Sequence, residues 1–170
     1  MESDEQYHIG TLFRLIREKK YSDVLAVILK YKVDISLAKD SRDGSTLLHV
    51  AVSHGASLFI INLLLLCIHP NSMNSKGFTP YHTLILSIRS RRYSEKDSIE
   101  LIGLFSKMGA DPNYHSIRQL QSPYVMANYF RLHKNILDEM VKHGATLCYV
   151  KKTYDISYIN DLKKIDSEYC

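Results

Sequence analysis

The sequence predicts an all-α fold: a stack of about four helix-turn-helix units whose terminal members are degenerate caps. Three observations carry this. Gly44, Thr46 and His49 recur as Gly77, Thr79 and His82, and a self-match near 33 residues marks stacked helical units. Within the clearest unit, Leu48, Ala51 and Val52 fall on one helical face. The seven glycines and four prolines gather at unit boundaries, so helices are dense and turns short.

A first unit, over residues 10–40, pairs GTLFRLI (Gly10 to Ile16) with SDVLAVILKYKVDI (Ser22 to Ile35), and Arg14 stands where histidine is expected. The second, 43–73, opens with DGSTLLHVAVSHG; Thr46 is a good N-cap, and Gly55 breaks the helix before ASLFIINLLLLCIHPN supplies its partner. The third, 76–114, opens with KGFTPYH and closes with MGADPN. Thr79 caps its first helix, and Pro80 suits the first helical position because its missing N–H leaves nothing unpaired. The interval from His82 to Gly109 exceeds the equivalent one from His49 to Cys67 by nine residues, around SRSRRYSEKD, which predicts an enlarged turn or extended helix ends. The fourth, 121–148, opens with QSPYVMA and closes with HGAT; Ser122 is the cap and Val125 takes the histidine position. Residues 149–170, with Tyr149, Tyr154, Ile156, Tyr158, Ile159 and Leu162, are expected to form a partial unit covering the last pair. Terminal units are atypical because one flank faces water. Residues 1–170 read as one domain.

These motifs resemble the ankyrin repeat, whose pattern runs Asp-Gly-x-Thr-Pro-Leu-His-x-Ala-Ala before a second helix and a Gly-Ala-Asp-x-Asn close. The resemblance covers residues 10–148 and is strongest in the second and third units. Leu47 replaces the proline, Tyr81 replaces the leucine, and Cys67, Ile68 and His69 replace Gly-Ala-Asp; these departures bear on turn geometry. The resemblance implies a small stand-alone ankyrin-repeat solenoid that binds a partner protein through its groove and fingers, as an adaptor or regulatory subunit. It implies no cofactor and no small-molecule substrate. Small stacks of this family include inhibitors and activating subunits of protein kinases, and viral proteins that intercept host signalling. Loose repeats and an insertion look like the viral members; the size fits kinase regulation equally well.

Composition is that of an ordinary globular chain: 45% hydrophobic residues over 170 positions suffice for a core without staples. MESDEQYHIG lacks the basic and apolar segments of a secretory signal. The longest apolar run, Leu58 to Ile68, is broken by Asn62 and too short for a bilayer, so no membrane partner is expected. Cys67, Cys148 and Cys170 have no paired spacing, which predicts reduced thiols in a cytoplasmic or nuclear setting. The absence of HExxH, CxxC, a phosphate-binding glycine loop and a nucleophile elbow predicts no metal, no cofactor, no catalytic residues and no enzyme. His49 and His82, in the first helical turn, read as connectors bonded to the capping threonine or neighbouring backbone.

By motif position, Val50, Ser53 and His54, then Thr83, Leu86 and Ser87, then Met126, Tyr129 and Phe130 lean toward a concave groove. Tyr129 and Phe130 are its expected anchors, since rigid aromatics give contact area at low entropy cost, although a one-residue shift in register turns either into core. The insertion brings Arg89, Arg91, Arg92 and Lys96 together with Glu95, Asp97 and Glu100. It reads either as a self-compensating solvated loop or as a surface for an acidic or phosphorylated protein segment. Nucleic acid is the weaker alternative, because a net charge of +4 with mixed signs is no dense basic stripe.

Overall fold

The computed structural model describes residues 2–115 and 121–147, which form eight helices and no extended strand. They are α1 (Glu2–Arg17), α2 (Tyr21–Tyr31), α3 (Leu47–Ser53), α4 (Leu58–Cys67), α5 (Pro80–Arg89), α6 (Glu95–Lys107), α7 (Pro123–Tyr129) and α8 (Lys134–Lys142). Each odd-numbered helix packs on the even-numbered helix that follows it. The first helices α1, α3, α5 and α7 also pack successively on one another, and α4, α6 and α8 do the same. Two layers result, with a core between them that includes Leu48, Ala51, Leu84, Leu101, Phe105 and Met140. Burying one leucine contributes about 2 kcal/mol.

Local chemistry sets where these helices start. Thr46, Thr79, Ser94 and Ser122 hold extended backbone, and each side-chain oxygen accepts a backbone N–H from the first turn of α3, α5, α6 and α7 respectively. Pro80 and Pro123 occupy first-turn positions that need no donor. Each first helix ends in one recurring turn. Lys19, Gly55, Arg91 and Arg131 adopt positive φ, and the residue after each donates its N–H to a carbonyl five positions back, at 2.9–3.1 Å.

One expectation is corrected here. The first helix starts at Glu2, so Gly10 lies inside α1 and is no turn glycine. The polar segment before Gly10 hides this helix from any apolar pattern, but Ile9, Leu12, Phe13 and Ile16 carry its inward face, and His8 stacks on Tyr31 at 3.8 Å. The insertion takes mainly the extended-helix form, one of the two expected for it. At ten residues α5 exceeds α3 by three, and at thirteen α6 exceeds α4 by three, about one turn each. The partial unit expected over 149–170, like Cys148 and Cys170, lies outside the described residues.

Candidate functional site

Between α2 and α3, and again between α4 and α5, the chain makes a tight finger. In the first, the Asp40 N–H donates to Ser45 O and the Gly44 N–H to Asp40 O, both at 2.8 Å. Gly44 has φ +67°, and a Cβ there would lie 2.7 Å from Ser75 Oγ and 3.2 Å from Ser75 N, so only glycine fits. In the second, Asn74 Oδ1 accepts the N–H groups of Lys76 and Phe78. The fingers are tied together: Ser75 N–H donates to Asp43 O at 2.8 Å, and Lys39 Nζ to Met73 O at 2.7 Å.

His49 and His82 fasten these fingers to the helices. In each, Nδ1 accepts the backbone N–H of the capping threonine at 3.1 Å, and that threonine's hydroxyl lies 2.8 Å away. With Nδ1 accepting, Nε2 carries the proton. It donates to the carbonyl of the next unit, Phe78 O for His49 and Gln121 O for His82, both at 2.9 Å. Burial pulls both imidazoles down to about 4, against the lesser upward pull of those carbonyls, so both are neutral at physiological pH. Each is fully engaged within the fold.

A second periodic tie was not singled out in the sequence. Asn71 Nδ2 donates to Gly109 O at 2.9 Å while its Oδ1 accepts Asp111 N–H at 3.0 Å. One unit later, Asn113 repeats this with Gly144 O at 2.8 Å and Thr146 N–H at 2.9 Å. The signal was present as His-Pro-Asn and Asp-Pro-Asn, but the insertion between them breaks the 33-residue spacing.

The fingers and the exposed stripe of α3 and α5 enclose an open groove of about 520 Å³. Val50 and Leu86 form an apolar floor, Ser53, His54 and Thr83 add polar groups, and Arg17, Arg42, Asp43 and Lys76 form a charged rim. Asp40 anchors that rim. It is buried, paired with Arg17, and receives Arg42 Nε at 3.2 Å and Arg42 Nη2 at 3.1 Å. Burial works to raise its carboxyl, but the Arg42 hydrogen bonds and the two guanidinium charges prevail and hold it below the usual range. The ionised side chain therefore fixes two arginines at the mouth of the groove, a feature the sequence reading missed.

Of the residues expected to face a partner, Val50, Ser53, His54, Thr83 and Leu86 line this groove. Ser87 and Met126 do not. Ser87 is 4% exposed with its hydroxyl turned back to Thr83 O at 2.9 Å, and Met126, 2% exposed, is part of the core. Both were misplaced because neighbours on two sides and a second layer leave each short helix only a narrow open stripe. Tyr129 is exposed, whereas Phe130 is half-buried, but neither lines the groove; they lie where α7 ends, beside the last residue of α5. There the Arg89 guanidinium covers the Phe130 ring at 4.1 Å. Arg91 and Arg92 are exposed on the following turn, as is Lys96 in the first turn of α6.

Among the described residues, no group of three or more His, Cys, Asp or Glu side chains is placed to hold a metal ion. No described helix is long and apolar enough to cross a membrane. No family model matches this chain, and no curated protein matches it.

Proposed function

We propose that this chain is an ankyrin-type repeat protein and that its function is to bind a partner protein, as a non-enzymatic adaptor or regulatory subunit in the cytoplasm or nucleus. The observation that carries this reading is the groove: an apolar floor at Val50 and Leu86 beneath a rim of arginines fixed by Asp40. An apolar centre within a charged rim is the anatomy of a protein-recognition surface. The paired threonine–histidine connectors and the asparagine ties support the family reading, because they recur from unit to unit as a stacked repeat requires.

The groove reading is tested with Leu86→Asp, which places a charge on the floor at a side chain that is only partly buried. Parent and variant serve as bait in parallel affinity purification with mass spectrometry, after circular dichroism shows equal helix content. The reading expects a protein retained by the parent and lost by the variant, with purified partner bound at least about tenfold more weakly. Identical sets of retained proteins would refute it.

A further inference from the structure

We propose that the edge formed by the helix-to-helix turns is a second docking surface, and that it takes an acidic peptide segment. It lies at the opposite end of the first helices from the fingers and goes beyond the groove reading, so the two stand or fall separately.

The left-handed residue in the four recurring turns is Lys19, Gly55, Arg91 and Arg131, with φ of 59°, 68°, 55° and 51°. Glycine adopts this conformation freely, whereas a residue with a Cβ adopts it at a cost. Three of the four equivalent positions nevertheless carry a long cation, and all three are exposed. Such strain, repeated with one kind of side chain on one edge, points to use.

The turns form a continuous row. A Cβ built on Gly55 would lie 4.0 Å from Lys19 Nζ and 3.5 Å from Arg92 O, so the first and third turns both reach the second. Arg89 over Phe130, and Glu95 3.1 Å from His133, join the third turn to the fourth. Nearby acids are already engaged. Glu18 pairs with Lys20 at 2.8 Å, Glu95 also accepts from Asn135 at 2.8 Å, and Asp97 accepts the Ser94 hydroxyl at 2.8 Å. Lys19, Arg91, Arg92 and Arg131 make no ion pair among the described residues.

Geometry and charge select the ligand. Packed helices lie about 8–10 Å apart, so successive turns offer cations at multiples of that step. A peptide in the polyproline II conformation advances about 3.1 Å per residue with three residues per turn, so carboxylates at every third residue share one face and meet that row, and arginine can grip each in bidentate fashion. The exposed Tyr129 ring offers an apolar contact at the end of the row. Glu95, Asp97 and Glu100 are interspersed in the sequence between Arg92 and Arg131, so this edge is not the dense basic stripe that an unbroken phosphate backbone rewards.

The probe is a fluorescein-labelled peptide of about twelve residues with glutamate at every third position among serines. A glutamine-for-glutamate copy and a single-stranded oligodeoxynucleotide of equal length serve as comparators, read by anisotropy in roughly 50 mM salt. The triple variant Lys19→Gly, Arg91→Gly, Arg131→Gly is expected to match or exceed the parent in Tm, because the backbone strain is relieved. It is expected to bind the glutamate peptide at least about tenfold more weakly, while Leu86→Asp binds it as the parent does. Should the glycine variant lose helical signal, the same three positions changed to asparagine, which also tolerates positive φ, carry the test. The proposal is overturned if the parent does not bind the peptide, if the triple variant binds it undiminished, if the glutamine copy binds as well, or if the oligonucleotide binds more tightly.

Discussion

Replacing His82 with alanine removes an imidazole that is fully buried and bonded on both sides. At neutral pH the Thr79 N–H loses its acceptor, the Gln121 carbonyl loses its donor, and Phe78 loses a ring stacked at 5.3 Å. The Thr79 N–H left unpaired in the interior costs about 1–3 kcal/mol and the lost hydrogen bond to the half-buried Gln121 carbonyl about 1 kcal/mol more, so His82→Ala is expected to destabilise the chain by about 2–4 kcal/mol. Protonation supplies an independent signature. The folded ring titrates near 4 and an unfolded one near its ordinary 6.5, so the unfolded chain takes up this proton first. Stability due to His82 is therefore complete above 6.5 and declines as pH falls toward 4. Between pH 7 and pH 5 that decline amounts to about 2 kcal/mol, and His82→Ala escapes it. Urea unfolding followed by circular dichroism at both pH values is the assay. The gap between parent and variant should narrow by about that amount on acidification. A variant as stable as its parent at pH 7, or a gap that does not change with pH, would refute the connector role.

Three further outcomes follow from the same structure. Thr46→Ala removes the N-cap of α3 and the hydroxyl beside His49, and is expected to lower urea-unfolding stability by about 1–2 kcal/mol; no loss would show that the cap is dispensable. Asn113→Ala breaks the tie to Gly144 and Thr146, and is expected to cost about 1 kcal/mol and speed amide exchange in α8 more than in α4; equal exchange would deny the tie a local role. Asp40→Asn is expected to lower stability at pH 7 by about 1–3 kcal/mol and to flatten acid sensitivity below pH 4. The depressed carboxyl stabilises the fold above its unfolded pKa and is lost as pH falls, so an unchanged acid limb in thermal melts would contradict the assignment.

The helical pairs from Leu47 onward were legible because their punctuation is local chemistry. Thr46, Thr79 and Ser122 announce helix starts, and Gly55 and Gly109 announce ends. The early start of α1 was not legible, since its first turn is polar and its ordering comes from contacts such as His8 on Tyr31. The groove was half legible. Motif position placed Val50, Ser53 and Thr83 at its lining, but Ser87 and Met126 failed because a rotation of one residue, about 100°, separates the open stripe from the packed face. The charged rim was invisible because Arg17 and Asp40 are remote in sequence and meet only once α1 packs beside the first finger.

The extra turn of α5 makes the third pair a mechanical clamp. At its top, the Tyr93 hydroxyl reaches back to Val52 O at 3.0 Å while Arg89 reaches forward over Phe130. Near its base, Ser75 and the two asparagine ties grip the same neighbours. The first pair is held more lightly: Ser36 occupies the place of Asn71 and Asn113, Lys39 reaches across to Met73 O, and α2 packs chiefly on α1. Under tension applied at its ends, such a stack yields unevenly. Under such load α2 is expected to peel away first, because it packs chiefly on α1, while α3 and α5, gripped from both sides, hold the groove floor in place.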